Sequence, residues 1–525
     1  MSNKLRGKSL LLVGFTLFSM FFGAGNLIFP PFLGAEAGQN AWAALAGFAV
    51  SAIGLPIAGV IAVARAGSLG VLASRVHPRF ALVFTMLIYL SIGPCLAIPR
   101  TASTSFQMLA PFIGSEGSHQ LLYSAVFFAA AFAVALHPEK LTDRLGRVLC
   151  PTLIVLILVL FGSCLVHPVA PHYASPAAEY QSLPALSGIL NGYQTMDTLA
   201  ALNFGAVIAL NIRTRGIDEE GEVRRGTISA GLIAGALLLA VYSMLTHAGA
   251  LSGAAFPGGA TGADTLTSLA LGLFGRGGQM LLAAIFVIAC FNTCVGLISS
   301  VGQYFHELMH LPYPAVAAFF AVTSMLISNL GLAGIIRLST PVLNAVYPIA
   351  IVLIALSFAP FAAKKSAVWP LTIACTAVQS VCAALPLGPL SALANALPFS
   401  SLGFGWLLPA AAGLLLGLVL PQAEKAYKKT FRHGFEPLRK VFFCCQKLRR
   451  FSAQPIFSGV RAGACNPAYT ARRAPRNPVR GFYERCAPAH ARRRNRPPPR
   501  GTPSAARKST DCFSRCTSRT ASAQR

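Results

Sequence analysis

Gly14-Phe15-Thr16-Leu17-Phe18-Ser19-Met20-Phe21-Phe22-Gly23-Ala24-Gly25-Asn26-Leu27-Ile28-Phe29-Pro30-Pro31 is at odds with itself as a membrane helix. Counted from Leu10, it is apolar and long enough to cross a bilayer, which takes about 20 residues. Yet Gly23-Ala24-Gly25-Asn26 falls in its middle, and two prolines follow. A break frees backbone N–H and C=O groups that hydrocarbon does not solvate. Irregular backbone at that depth is tolerated where it is buried in protein or lines a cavity. Interrupted spans at matching places in two halves of a chain point to the binding site of a secondary transporter.

The rest of the chain suits that reading. Of 525 residues, 54% are hydrophobic and 11% charged, against about 25% charged in soluble domains. We read an all-α integral membrane protein with about twelve spans: 10–33, 41–64, 80–100, 121–137, 147–166, 188–212, 227–250, 279–304, 314–330, 341–361, 368–387 and 401–420. The first is not a signal peptide, being too long and followed by further apolar sequence. With the N-terminus cytoplasmic, inside loops carry fifteen Lys and Arg and outside loops only Arg276 and Arg337, as the positive-inside rule asks. The exception is the loop after span 8, an inside loop with no Lys or Arg. Both termini then lie in the cytoplasm.

Span 6 holds Asn191-Gly192-Tyr193-Gln194-Thr195-Met196-Asp197-Thr198, polar residues at membrane depth. Spans 1 and 6 start five spans apart, and five is odd. Two homologous five-span units would therefore point in opposite directions, as an inverted 5+5 repeat. Repeat one is 10–166, repeat two is 188–361, and two added helices occupy 368–420 of a transporter domain 1–423. Residues 424–525 form a separate tail.

The net charge of +27 belongs mostly to that tail. Lys and Arg number 18 up to Glu424 and 25 beyond it, whereas Asp and Glu number 13 and 3. The tail, rich in Arg and Pro, shows no hydrophobic period and reads as disorder. It is a basic cytoplasmic segment drawn to anionic lipid, or a non-native stretch from a shifted reading frame. The apolar part gives no reason to expect nucleic acid as a partner. Thirteen cysteines form no disulfide framework. Those in the spans serve as small hydrophobes, and Cys290 and Cys294 have no His or carboxylate beside them to complete a zinc set.

Few residues carry chemistry. Asp197 is the only acid well inside a span. Embedded acids mark ion or substrate paths, or this one caps the half-helix that follows it. In span 8, Asn292, Thr293, Gly296, Ser299 and Ser300 share one helical face. Such a face suits a hard cation such as Na⁺ or serves as helix–helix glue. Arg100 stands at the outer end of span 3, as a gate or a snorkelling side chain. His306-Glu307-Leu308-Met309-His310 matches the H-E-x-x-H pattern of zinc peptidases. No third ligand follows before Ala423, and Pro312 ends the helix, so chance explains it better. No phosphate-cradling Gly-x-x-x-x-Gly-Lys-Ser/Thr pattern occurs, so an ATP-driven pump is not expected.

Taken together, the opening stretch resembles the signature of bacterial branched-chain amino acid transporters of BrnQ type. Further matches are Gly93-Pro94 with Ala97-Ile98-Pro99-Arg100-Thr101-Ala102, Gly192-Tyr193-Gln194-Thr195-Met196-Asp197-Thr198-Leu199-Ala200-Ala201, Ile327-Ser328-Asn329-Leu330-Gly331-Leu332, and Pro341-Val342-Leu343 with Tyr347-Pro348-Ile349. They cover spans 1 to 10 and stop near Pro421. The resemblance implies a leucine-transporter-like fold, with helices 1 and 6 discontinuous and facing each other at mid-membrane. It implies a non-enzymatic symporter in the bacterial inner membrane that imports leucine, isoleucine and valine with Na⁺ as coupling ion and needs no cofactor. Proton coupling through Asp197 is the alternative.

The implied substrate site comprises Gly23, Ala24, Gly25, Asn26, Thr195, Asp197, Thr198 and Phe204. In it the carboxylate meets the N–H groups of the half-helix near Gly25, the ammonium meets freed carbonyls of span 6, and Phe204 walls the side-chain pocket. The implied Na⁺ site takes carbonyls of Ser19, Phe22 and Ala289 with the side chains of Asn292 and Thr293. The family pattern has a hydroxyl residue where this chain has Asn292, whose amide oxygen also coordinates.

Overall fold

The computed structural model describes residues 5–137, 142–259, 261–362, 365–385 and 388–420. All of them belong to the compact unit Met1–Gly434. The tail from 424 lies outside the described residues.

Every regular element among the described residues is helical. Span 1 is two helices, α1 (Lys8–Phe21) and α2 (Ala24–Ala37). The chain is extended between them, with Phe22 at ψ 87° and Gly23 at φ −125°, ψ −154°. Pro30 and Pro31 do not stop α2, which runs on for six further residues. Gly38, at φ 49°, turns the chain into span 2. That span is α3 (Ala41–Ala49), a π turn at Val50–Gly54, and α4 (Leu55–Ala66). The short α5 (Leu69–Ser74) follows, its first turn capped by Ser68 Oγ, which accepts from Val71 N–H at 3.2 Å.

Span 3 is longer than the sequence suggests. Helix α6 (Pro78–Leu90) and helix α7 (Ala97–Ile113) are joined by a kinked π segment, Ser91–Cys95. Spans 4 and 5 are α8 (Gly117–Ala135) and α9 (Cys150–Val166). After the one-turn α10 (Ala178–Gln181), span 6 divides into α11 (Pro184–Tyr193) and α12 (Asp197–Thr214), bent by 52°. Met196, in the left-handed region at φ 66°, makes the corner. Span 7 is α13 (Glu220–Ala255), and span 8 lies in α14 (Gly262–Met309), which kinks at Gly275. The remaining helices are α15 (Tyr313–Ser328), α16 (Gly331–Phe358), α17 (Val368–Ala384), the short α18 (Pro389–Asn395) and α19 (Leu407–Val419).

Among the described residues, seven helical runs, or nine when each bent pair is one span, are long and apolar enough to cross a membrane. Three shorter apolar helices, α1, α15 and α19, join them. Because the run Ala24–Ala66 holds half of span 1 and all of span 2, these elements supply about twelve spans. Large apolar side chains such as Val166, Leu326 and Val419 lie exposed on the outside, where lipid would meet them.

Packing sorts the spans into two groups. Helix α2 packs mainly on α13, α11 on α3, and α12 on α4, which gathers spans 1, 2, 6 and 7. Helix α14 packs on α7, α8 and α15, which gathers spans 3, 4, 8 and 9. Lipid is as apolar as leucine, so helices associate through close packing and polar contacts rather than through hydrophobic drive. The join of α2 and α13 shows how close. A Cβ at Gly249 would fall 2.0 Å from the Pro31 carbonyl oxygen, and one at Gly34 would fall 2.1 Å from that of Thr246. Gly249→Ala should therefore cost about 1–3 kcal/mol, the usual range for overpacking. Thermal unfolding in detergent checks this. Gly277→Ala, inside α14 and with nothing within 4 Å of an added Cβ, should hold or slightly raise the melting temperature, since alanine favours a helix over glycine.

Candidate functional site

The breaks in spans 1 and 6 face each other. Asn26, in the first turn of α2, donates from Nδ2 to Asp197 Oδ2 at 2.5 Å and also to the Tyr242 hydroxyl oxygen. Tyr242 in turn donates to Asp197 Oδ2 at 3.3 Å. All three side chains are buried. This knot ties spans 1, 6 and 7 at the level of both breaks. Asp197 is the first residue of α12, but its own side chain does not cap that helix, whose first N–H is accepted by Thr195 Oγ1 at 3.4 Å. The capping reading of Asp197 is thus replaced by a cross-helix one.

Several of the groups freed by the breaks are answered by side chains. Gly23 N–H points to Asn26 Oδ1 at 3.4 Å. Thr293 Oγ1 donates to Met20 O at 3.1 Å, and a Cβ at Gly23 would come within 2.5 Å of that same hydroxyl oxygen. On the other break, Arg100 donates from Nη1 to Gln194 O at 2.9 Å and from Nη2 to Thr195 O at 3.3 Å. Arg100 is only 3% exposed. It neither snorkels nor ends a span, because α7 continues thirteen residues past it. The polar run Thr101-Ala102-Ser103-Thr104-Ser105 resembles a membrane exit in sequence, but in the fold it is buried and faces protein. The span 6 carbonyls assigned to the substrate ammonium are, at Gln194 and Thr195, already occupied by a guanidinium.

One cavity opens at this junction, lined by Gly23, Ala24, Gly25, Asn26, Thr195, Asp197, Phe204 and Thr293, together with Arg100, Thr101, Met196 and Ala200. The cavity has two characters. Helix-end N–H groups, Arg100 and Asp197 make one side polar. Met20, Phe21, Ile92, Leu297 and Phe204 make the other apolar. Phe204, fully buried, meets Phe21 edge to face at 5.3 Å. The space inside is about 20 Å³, on the scale of a water molecule and well below that of an amino acid. Thr198, expected in the site, turns away and donates to Ser51 O at 3.4 Å, on the π turn of span 2. Tyr242 and Arg100 are the residues that sequence reasoning left out of the site.

The residues named for a cation fit one in donor type. Ser19, Phe22, Ala289 and Asn292 are fully buried, and Thr293 lines the cavity. Ser19 Oγ and both amide atoms of Asn292 lack a hydrogen-bond partner, and buried polar atoms are seldom left so. Oxygen donors of this kind suit a hard cation. The H-E-x-x-H match, in contrast, makes no metal site. His306 Nδ1 sits 2.5 Å from Leu311 O, Gln303 Nε2 donates to Glu307 Oε1 at 2.6 Å, and His310 forms the left-handed end of α14. Among the described residues no three His, Cys, Asp or Glu side chains are placed to hold a metal.

The fold and the paired breaks define a membrane carrier of the leucine-transporter fold. Its architecture is like that of Mhp1, a nucleobase-cation-symport-1 family transporter in a closed conformation with bromovinylhydantoin bound, at 13% identity and TM-score 0.53, over 78% of this chain and 91% of that one. It is also like the Eremococcus coleocola manganese transporter, at 15% identity and TM-score 0.51, over 78% and 95%. Within this class the chain belongs to the family described as branched-chain amino acid transport protein, which matches residues 6–424. It is 39% identical to the branched-chain amino acid permease BraB of Bacillus subtilis (strain 168), over 80% of this chain and 97% of the relative. It is 40% identical to the branched-chain amino acid transport system 2 carrier protein of Pseudomonas aeruginosa, over 79% and 96%. The permease BrnQ of Escherichia coli (strain K12) is 36% identical over 81% and 98%.

The knot sets an order of damage. Tyr242→Phe removes one donor to Asp197 and should cost about 0.5–1.5 kcal/mol, the usual net worth of a buried hydrogen bond. Asn26→Leu removes both donations made by Asn26 and leaves a buried carboxylate poorly answered, so it should lower the melting temperature further and abolish transport. Thermal unfolding and uptake, measured side by side on both variants, check the ranking.

Proposed function

We propose that this protein is a secondary symporter that imports leucine, isoleucine and valine across the bacterial inner membrane, coupled to Na⁺, with both termini in the cytoplasm. The cavity's two-sided lining carries the reading. A branched aliphatic side chain gains roughly 1.5–3 kcal/mol when buried against a wall such as Phe204, Phe21 and Ile92. The zwitterionic end needs dipoles and charges in place of water, and the polar side supplies them. Family membership and the relatives' names support the substrate class.

A space the size of a water molecule must expand to admit an amino acid, so binding requires the two groups of spans to move apart. Rocking of one group on the other around a central site is alternating access. Ser19, Phe22, Ala289, Asn292 and Thr293 would hold Na⁺, whose charge would favour a carboxylate bound nearby.

Labelled leucine uptake into proteoliposomes, with and without an inward Na⁺ gradient, tests the proposal. Concentrative uptake is expected only with the gradient. Equal uptake in both would refute Na⁺ coupling and leave a proton moving through Asp197 as the candidate. Thr293→Ala, which removes one oxygen ligand, should raise the Na⁺ concentration for half-maximal uptake by about tenfold, equivalent to ~1.4 kcal/mol. An unchanged Na⁺ dependence would contradict the assignment.

A further inference from the structure

The cavity holds two buried groups of opposite charge type that do not meet. Arg100 and Asp197 both line it, and each is 3% exposed. Yet no contact ion pair joins them; they act on each other only through space, and the hydrogen bonds to Asp197 Oδ2 come from the neutral Asn26 and Tyr242. Buried charges are expected to be paired. Here Arg100 is steadied by two backbone carbonyls and by the Phe29 ring, 5.8 Å from the guanidinium carbon. Those contacts use two of its five N–H donors. Gly25 leaves room for it, since a Cβ there would lie 2.7 Å from Nη2. The guanidinium therefore lies directly against the start of α2, whose N–H groups and dipole also favour an anion.

We propose that Arg100 is the specificity-determining receptor for the substrate's α-carboxylate, acting with the N-terminus of α2, and that Asp197 receives the α-ammonium. This rests on the proposed function and changes its internal assignment. The ammonium goes to a carboxylate rather than to the carbonyls of Gln194 and Thr195, which Arg100 already engages. A zwitterion supplies the missing partner for each charge, whereas a lone amine or acid supplies only one. A guanidinium also binds a carboxylate in a planar two-point fashion that an ammonium cannot copy.

The experiment measures binding to the purified full-length protein by thermal stabilisation in Na⁺ buffer, using leucine and leucinamide, which keeps the ammonium and lacks the carboxylate. Leucine uptake by the wild-type protein is measured first, and its absence would count against the proposed function and not against this assignment. Wild type should prefer leucine to leucinamide by about 10–100-fold, the worth of a hydrogen bond to a charged group. In Arg100→Gln the preference should collapse to within about threefold, through loss of leucine affinity alone. Arg100→Lys returns a cation to the same carbonyls and should show an intermediate preference, which keeps the test informative if the Gln variant folds poorly. If Arg100 only braces the break, both variants would weaken the two ligands alike, and an unchanged preference overturns the proposal.

Discussion

Backbone N–H and C=O groups freed inside a membrane must be answered by protein, and in this chain the answers to the carbonyls at Met20, Gln194 and Thr195 come from other spans. Asn26 closes over Gly23 N–H, Thr293 caps Met20 O, and Arg100 holds the carbonyls of Gln194 and Thr195. Because these partners come from spans 1, 8 and 3, the two breaks draw four spans to one point. The cavity lies there because that is where the polar side chains have to be. The glycines make the breaks possible, and the answering side chains make them specific.

These bonds fall into two kinds. The knot of Asn26, Asp197 and Tyr242 lies wholly within the group of spans 1, 2, 6 and 7. The bonds from Arg100 to span 6 and from Thr293 to span 1 cross from the other group. A rocking motion between the groups would leave the first kind intact and strain the second. Substrate and cation would then act at the two places where the groups are joined by polar bonds, which is how binding can bias a conformational equilibrium.

Much of this was legible in the chain. Gly23 and Gly25 in an apolar run, and Asp197 among Thr195, Met196 and Thr198, mark both breaks because such residues have no other business at that depth. Phe204, expected to wall a side-chain pocket, and Thr293, expected at a cation, both line the cavity. Arg100 was not legible, because Pro94, Pro99 and the hydroxyl run after it imitate a membrane boundary. Only packing against α14 and α15 shows that this run stays inside. Tyr242 was invisible for a different reason. An aromatic residue in a long apolar helix looks like core until its hydroxyl finds a partner, Asn26, 216 residues distant in sequence. Thr198 was placed in the site by its neighbours, but the helical rotation between Asp197 and Thr198 sends its hydroxyl to span 2. Asp197 itself was left open between cap and ligand path, and a bond across to span 1 was a third possibility that local sequence does not encode.

The π turn at Val50–Gly54 sits where span 2 meets the break in span 6, and Ser51 O accepts there from Thr198. A π turn carries one residue more than the α turn it replaces. In a plain α-helix an inserted residue rotates everything beyond it by about 100°, turning a membrane helix's lipid face inward. Confining the extra residue to a single turn localises that disturbance, so α3 and α4 each keep a coherent face. The turn thus holds one residue more than a plain helix would, without re-facing the span on either side of it.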